Sequence, residues 1–163
     1  MTTILAIDPG NQLSAYCLID ADTRKPLQFA KVTNEEMCDY IMSLGLPAAP
    51  LTFIEMVASY GMAVGAEVFE TCVWIGRFYE VASYRHDVEP TLVKRLEVKM
   101  HHCHTAQAKD SNITQALVDR FAVGQPNHGK GTKAAPGWFY GFAADVWAAY
   151  ALAVYAADVR EAS

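Results

Sequence analysis

The first third of the chain alternates short apolar runs with polar, Pro and Gly residues that are typical of turns. This pattern predicts four β-strands, at residues 4–7, 13–19, 27–32 and 51–54. Thr33 or Asn34, followed by two glutamates, predicts the start of a helix that ends before Gly45. Two of the predicted strands end at carboxylates, Asp8 and Glu55.

Helical spacing dominates the rest of the chain. Apolar residues recur every three or four positions over residues 63–83, which predicts a long helix. We expect a strand at 84–89, a helix opened by Pro90 and another helix at 111–121. Residues 122–140 contain four glycines and two prolines and predict a loop, after which a last helix begins near Asp145. The element order predicts an α/β fold, a mixed β-sheet flanked by helices.

Length and composition favour one domain spanning residues 1–163. The formal net charge of −5 argues against a protein that coats nucleic acid by bulk attraction, so any nucleic-acid site must be local. The charge-free stretch 146–157 is shorter than the roughly 20 residues of a membrane span, and the N-terminus lacks the pattern of a signal peptide. We therefore expect no membrane association and a cytoplasmic location, where scattered cysteines stay reduced.

Three carboxylates are the candidate chemistry. Asp8 and Glu55 end strands and Asp145 begins a helix, so the three side chains converge if the two strands are neighbours. Clustered carboxylates need cations, and oxygen ligands suit Mg²⁺ or Mn²⁺, which in pairs hydrolyse phosphodiesters. Alternatively, Asp8 supports a turn, Glu55 merely ends a strand and Asp145 caps a helix. The pattern alone leaves both interpretations open.

The order of the motifs resembles that of the RuvC-type Holliday junction resolvases of the RNase H-like superfamily. The resemblance rests on residues 4–10 with Ile-Asp-Pro-Gly, residues 53–55, Pro-Thr-Leu-Val-Lys at 90–94, the Ala-Lys pair at 108–109, and the helix that follows Asp145. It implies an RNase H-like mixed sheet. Within this group, the chain looks most similar to the phage and prophage members.

The resemblance implies an endonuclease that acts on branched DNA, usually as a homodimer that nicks a four-way junction symmetrically. Asp8, Glu55 and Asp145 would hold the Mg²⁺ or Mn²⁺ ions, with two ions in each site. The alternatives are a junction-binding protein of the same fold with little or no turnover, and a nuclease acting on RNA/DNA hybrids or flaps, because one fold supports several substrates.

Two departures from the family pattern stand out. The family carries two late acids three residues apart, whereas Phe142 stands three residues before Asp145. Either three carboxylates suffice, or His128 or Asp110 takes the fourth place, although Asp110 is also expected simply to begin a helix. In addition, Lys94 and Lys109 match two lysines of the family pattern, but four more residues separate them than in that pattern.

A local basic segment accompanies the carboxylates. Residues 85–133 hold eight basic and five acidic residues, a balance of +3, against −8 for the remainder. A solvated helix face would explain this segment equally well. Given the resemblance, we expect DNA contacts from one aromatic residue, placed to stack on an opened base, and four basic residues: Tyr60, Lys94, Lys109, Lys130 and Lys133.

Two other motifs resemble cofactor-binding sites, but both are incomplete. Residues 124–130 resemble a phosphate-binding P-loop, but Gly131 replaces the required Ser or Thr, so we expect no nucleotide cofactor. The run His101-His102-Cys103-His104 lacks the second ligand pair of a structural zinc site.

Overall fold

The computed structural model describes residues 1–45 and 47–163. A five-stranded mixed sheet with the strand order β3-β2-β1-β4-β5 forms its centre. The strands are β1 (Thr3–Asp8), β2 (Leu13–Asp20), β3 (Pro26–Thr33), β4 (Leu51–Met56) and β5 (Thr91–Lys94). The first three pair antiparallel, whereas β4 pairs parallel to both β1 and β5. The four strands predicted in the first third of the chain are confirmed.

Helices cover both faces of this sheet. Helices α1 (Asn34–Ser43) and α2 (Ala66–His86) share a core with one face. Helices α3 (Arg95–Cys103), α4 (Asp110–Phe121) and α5 (Asp145–Glu161) share a core with the other. The prediction of an α/β fold with a mixed sheet flanked by helices is confirmed. Across the described ranges, no helix is long and apolar enough to cross a membrane.

The start of α1 shows a reciprocal cap that the sequence predicts. Thr33 Oγ1 accepts a hydrogen bond from the Glu36 backbone N–H at 3.2 Å, and Glu36 Oε2 accepts one from the Thr33 N–H at 2.9 Å. These bonds satisfy two backbone donors that the first helical turn leaves free. The cap residue is therefore Thr33, the first of the two predicted candidates.

Helix α5 is buried because small residues let it approach the sheet closely. Ala149, Ala153 and Ala156 are at most 2% exposed and belong to the same core as Ala6 and Ala15 of the sheet. Alanine side chains fill little space, so this core closes only when the helix backbone lies near the strands. Its N-terminal residue is consequently held at a defined height above the sheet.

A cluster of charged side chains holds the C-terminal end of α5 in place. Asp158 accepts hydrogen bonds from Arg24 Nε at 3.1 Å and Arg120 Nη1 at 2.6 Å, and His101 Nε2 lies 2.8 Å from its Oδ2. These partners come from the β2–β3 turn, α4 and α3. The cluster thus ties α5 to three other elements, and it gives His101 of the His/Cys run a packing role.

The predicted strand at 84–89 is wrong, because α2 continues to His86. The His86 side chain is buried, with Nδ1 3.2 Å from Thr52 Oγ1 and Nε2 3.2 Å from the Leu44 carbonyl oxygen. A buried imidazole needs such partners. These contacts hold the last turn of α2 against β4 and the end of α1.

The helix predicted from Pro90 begins later, at Arg95. The residues between them form β5, which pairs with β4, and Val93 is buried in the core on the α5 face. The apolar spacing of this segment also suits a helix, but pairing with the open edge of β4 satisfies its backbone hydrogen bonds and decides the outcome.

The loop predicted at residues 122–140 is confirmed and extends to residue 144, and it has a defined hydrogen-bonded conformation. The Phe139 N–H donates to the Gly129 carbonyl at 2.9 Å, and the Gly137 N–H donates to the Lys130 carbonyl at 3.0 Å. Phe142, at the end of the loop, is 2% exposed and packs edge-on against Trp147 of α5. The residue in the place of a late acid is therefore part of the core.

We predict that Phe142→Ala lowers the free energy of unfolding by about 3–5 kcal/mol, because it empties an enclosed aromatic site. Urea denaturation measures this loss. Tyr140→Ala, in the same loop but 45% exposed, is the matched control and should cost less than about 0.5 kcal/mol. Equal losses for the two variants would contradict the assignment of Phe142 to the core.

Candidate functional site

Asp8 and Glu55 lie side by side at the ends of two parallel strands. Ile7 pairs with Ile54 in the β1–β4 ladder, and the two carboxylates are the next residues of these strands. The residues two positions earlier in each strand pack in the core beneath α5. Because side chains alternate between the faces of a sheet, both carboxylates point to the α5 side.

A buried polar network fixes the turn that follows Asp8. The Gly10 N–H donates to Ser14 Oγ at 3.1 Å, Ser14 Oγ donates to Asn34 Oδ1 at 2.5 Å, and Asn34 Nδ2 donates to the Gly10 carbonyl at 2.9 Å. A β-carbon at position 10 would lie 2.3 Å from the Leu13 carbonyl oxygen, so only glycine fits. The Asp-Pro-Gly motif therefore determines where the Asp8 side chain leaves the sheet.

Two more carboxylates reach the same place from helix N-termini. Asp145 is the first residue of α5 and Asp110 is the first residue of α4, where the helix dipole favours negative charge. Asp8, Glu55, Asp110 and Asp145 line one cleft of about 500 Å³. His128, the other sequence candidate for a fourth ligand, is exposed and does not line this cleft.

Two basic side chains that the sequence did not predict as site residues pair with the carboxylates of the cleft. Arg95 Nη1 lies 3.1 Å from Glu55 Oε2, and Arg95 Nη2 forms an ion pair with Asp110. Lys31 forms an ion pair with Asp145. A signal for Arg95 existed, because it directly follows the predicted Lys94, but no local pattern marks Lys31.

Strand register explains why Lys31 reaches the site. Asp8 of β1 pairs with Ala15 of β2, and Ala15 pairs with Lys31 of β3. Directly paired residues point to the same face of a sheet, so these three form a row beneath α5. A shift of one residue in the β2–β3 register would turn Lys31 to the opposite face.

The electrostatics of the cleft indicate negative charge that the protein only partly neutralises. Burial, reinforced by the nearby Glu55 and Asp145 carboxylates, raises the pKa of Asp8 to about 7. Burial also raises the pKa of Glu55, although the Arg95 guanidinium opposes this shift. Raised carboxylate pKa values in an open cleft are typical of sites that bind a cation or transfer a proton.

The donor chemistry of the cleft fits Mg²⁺ or Mn²⁺, because its four carboxylates supply oxygen ligands from four different elements. In the described part of the chain, however, no three His, Cys, Asp or Glu side chains are grouped closely enough to hold an ion. Three of the four carboxylates are instead engaged in ion pairs, Glu55 and Asp110 with Arg95 and Asp145 with Lys31.

The four predicted DNA-binding lysines lie outside the lining of the cleft. Lys94 is the exposed last residue of β5, and Lys109 is the exposed residue just before α4 and Asp110. Lys130 and Lys133 lie on the loop that precedes α5. None of these lysines takes part in the ion pairs found among residues 1–45 and 47–163.

Tyr60 lines a second cleft, of about 520 Å³, that shares Glu55 and Arg95 with the carboxylate cleft. Its side chain is 61% exposed, and its positive φ of 49° turns the chain sharply before Gly61. Apolar side chains such as Met56 form most of the remaining wall. The structure thus places the predicted stacking residue in a cleft that borders Glu55.

The sequence matches no protein-family model and no curated protein. Solved structures do match. A Thermus thermophilus RuvC structure aligns with a TM-score of 0.70 at 15% identity, covering 99% of this chain and 97% of that chain. T. thermophilus RuvC in complex with a Holliday junction substrate aligns with a TM-score of 0.71 at 13% identity and the same coverage. At such identity the likeness shows the fold, which is RuvC-like and RNase H-like, as the sequence resemblance implies.

We predict a pH-dependent stability effect at Asp8. Its pKa rises from an ordinary 3.8 to about 7 on folding, so ionisation of Asp8 opposes folding, and stability falls as pH rises from about 4 through 7. Without divalent cations, Asp8→Asn should be more stable than the wild type at pH 8, by up to about 4 kcal/mol. The difference should shrink towards pH 4, as measured by urea denaturation.

Asp39→Asn is the control for this measurement, because Asp39 is an exposed acid on α1. Its stability relative to the wild type should not vary with pH in this way. A constant difference between Asp8→Asn and the wild type from pH 4 to pH 8 would contradict the buried, charge-crowded position of Asp8.

Proposed function

We propose that this protein is a metal-dependent endonuclease that cleaves Holliday junctions and other branched DNA. One observation carries the proposal, the convergence of Asp8, Glu55 and Asp145 in an open cleft of a RuvC-like fold. The T. thermophilus RuvC that shares this fold is known in complex with a Holliday junction substrate. The carboxylates supply the chemistry and the likeness supplies the substrate class.

In this proposal, Asp8, Glu55 and Asp145 hold two Mg²⁺ or Mn²⁺ ions. The ions would activate a water molecule and stabilise the leaving oxygen of the phosphodiester. Asp8 carries a proton part of the time near neutral pH, because its pKa is about 7, and it must release that proton to act as a ligand. Asp145 lines the cleft because α5, which it begins, packs on the sheet.

Exposed cations around the cleft would bind the DNA backbone. Lys94 is the last residue of β5 and Lys109 directly precedes α4. Both are exposed, and each is next in sequence to a residue that lines the cleft. Lys130 and Lys133 extend this basic surface along the loop. Tyr60, exposed in the cleft that borders Glu55, would stack on an opened base of the junction.

We further propose that the protein acts as a homodimer. A four-way junction offers two equivalent strands, so a two-fold dimer would present one cleft to each. Helix α2 offers a surface for a second copy, since Phe69 and Val73 are 62% and 58% exposed and lie one turn apart. Gly76, one turn further, leaves open space where a partner helix can approach.

Two further expectations accompany the proposal. The four cysteines are free, which suits a reducing compartment, and we expect the protein to act in the cytoplasm. Among RuvC-type proteins, closeness to the phage and prophage members stays a prediction.

A second candidate function is junction binding with little or no turnover. Two observations in the cleft favour it. Arg95 and Lys31 form ion pairs with three of its carboxylates, and Phe142 stands where the family pattern has an acid three residues before Asp145. A nuclease for RNA/DNA hybrids or flaps would use the same carboxylates on a different substrate.

We predict that the protein nicks a labelled four-way junction in Mg²⁺ or Mn²⁺, and that Asp8→Asn abolishes cleavage while junction binding persists. Flap, RNA/DNA hybrid and linear duplex substrates are assayed in parallel, with Asp39→Asn as a matched variant that keeps activity. Paired nicks in the junction support a dimeric resolvase. Binding without cleavage supports the second candidate, whereas cleavage of the hybrid or flap alone replaces the substrate.

We predict that Lys94→Ala weakens junction binding and reduces the slope of log K against log [salt] by about 1, the effect of one lost phosphate contact. Lys25→Ala is the control, because the β2–β3 turn lies at the end of the sheet opposite Asp8. Filter binding from low to moderate salt measures both slopes. An unchanged slope for Lys94→Ala would remove Lys94 from the phosphate contacts.

A further inference from the structure

Arg95 occupies a central position in the carboxylate cleft. Its guanidinium contacts Glu55 at the end of β4, at 3.1 Å, and Asp110 at the start of α4. The Arg95 side chain is 29% exposed and that of Glu55 is 16% exposed, so this pair is largely withdrawn from solvent. The protein's own cation therefore sits among the carboxylates that a divalent ion would need.

A divalent ion and Arg95 compete for the same carboxylates. An ion held by Glu55, with Asp110 as a candidate fourth ligand, would share these carboxylates with the guanidinium, and two cations in contact with one carboxylate repel each other. The spacing of the side chains agrees, since no three potential ligands among the described residues are grouped as a metal site while Arg95 holds two of them. A metal ion in the cleft and the Arg95 guanidinium therefore oppose each other.

Arg95 also borders a second cleft, into which its side chain would turn in this proposal. Besides the carboxylate cleft, Arg95 lines the second cleft beside Tyr60, so its side chain forms the wall between the two. A phosphate that entered the carboxylate cleft from the second cleft would pass this side chain. The guanidinium fork binds phosphate oxygens with the same two-point geometry with which it binds carboxylates.

We propose that Arg95 is an exchangeable counter-ion, which neutralises Glu55 and Asp110 until a divalent cation binds in the cleft and then binds the substrate phosphate. Arg95 is then a positioning residue that couples metal binding to DNA binding. The phosphate half of this proposal rests on the proposed function, whereas the counter-ion half rests on the geometry of the cleft alone.

A fixed brace is the competing role for Arg95. A brace would hold Glu55 and Asp110 in place for the metal, so its loss would weaken metal binding. An exchangeable counter-ion opposes the metal, so its loss would strengthen metal binding. The sign of the change in metal affinity therefore separates the two roles.

The first experiment measures Mn²⁺ binding without DNA, by titration calorimetry and by the electron paramagnetic resonance signal of free Mn²⁺. Arg95→Gln should bind Mn²⁺ more tightly, on the order of tenfold, because a nearby positive charge is removed. Arg95→Lys keeps the charge and should stay within about twofold of the wild type. Asp8→Asn should lose binding, which assigns the signal to this cleft.

Arg160→Gln is the matched control, because it removes the same charge from the last turn of α5, about 22 Å along the helix from Asp145. It should bind Mn²⁺ within about twofold of the wild type, since exposed charges at that distance are screened. Weaker or unchanged Mn²⁺ binding by Arg95→Gln would overturn the counter-ion half of the proposal.

The second experiment measures junction binding by Arg95→Lys, which keeps the charge but loses the guanidinium fork. In EDTA it should bind like the wild type, because Arg95 is then engaged with the carboxylates. In Ca²⁺, with denaturing gels confirming intact strands, it should bind about fivefold more weakly than the wild type. Equal affinities in Ca²⁺, or equal losses in both conditions, would overturn the phosphate half.

The two experiments also separate this proposal from the proposed function. If no variant binds or cleaves branched DNA, the proposed function and the phosphate half both fail. The Mn²⁺ titration contains no DNA, so it still decides whether Arg95 is a counter-ion of the cleft.

Discussion

The close packing of α5 on the sheet is the constraint on which the candidate site depends. Alanines at the interface, including Ala149 and Ala153, bring the helix backbone near β1 and β2, and the charged cluster around Asp158 holds the far end. At the near end, Phe142 packs against the first turns of α5. Only a helix held at both ends places Asp145 in the same cleft as the strand carboxylates.

The same packing concentrates negative charge, and the protein offsets part of it with its own cations. Arg95 pairs with two carboxylates and Lys31 pairs with a third, while Asp8 has no such partner among the ion pairs of the described chain and its pKa is raised to about 7. The cleft is therefore still short of positive charge. This is a suitable starting state for binding a divalent cation.

Local patterns predicted most of the fold and the strand carboxylates. The first strand and its Asp-Pro-Gly turn are visible in the sequence, because a buried strand and a tight turn each need particular residues at fixed positions. The prediction of a helix from Pro90 is wrong for residues 91–94, which form β5. Their apolar spacing suits a helix as well as a strand, and only the free edge of β4 decides between them. His86 likewise extends α2 through partners that are distant in sequence.

The amino-acid sequence is enough to predict the α/β order of elements, the carboxylates at the ends of β1 and β4, and the acid that begins α5. It did not determine that Arg95 and Asp110 share the cleft, nor that Lys31 lies on the same face as Asp8. Element types follow from the periodicity of neighbouring residues. Strand register and helix placement follow from contacts between residues far apart in sequence, so the identity of the charges that meet becomes visible in the folded chain alone.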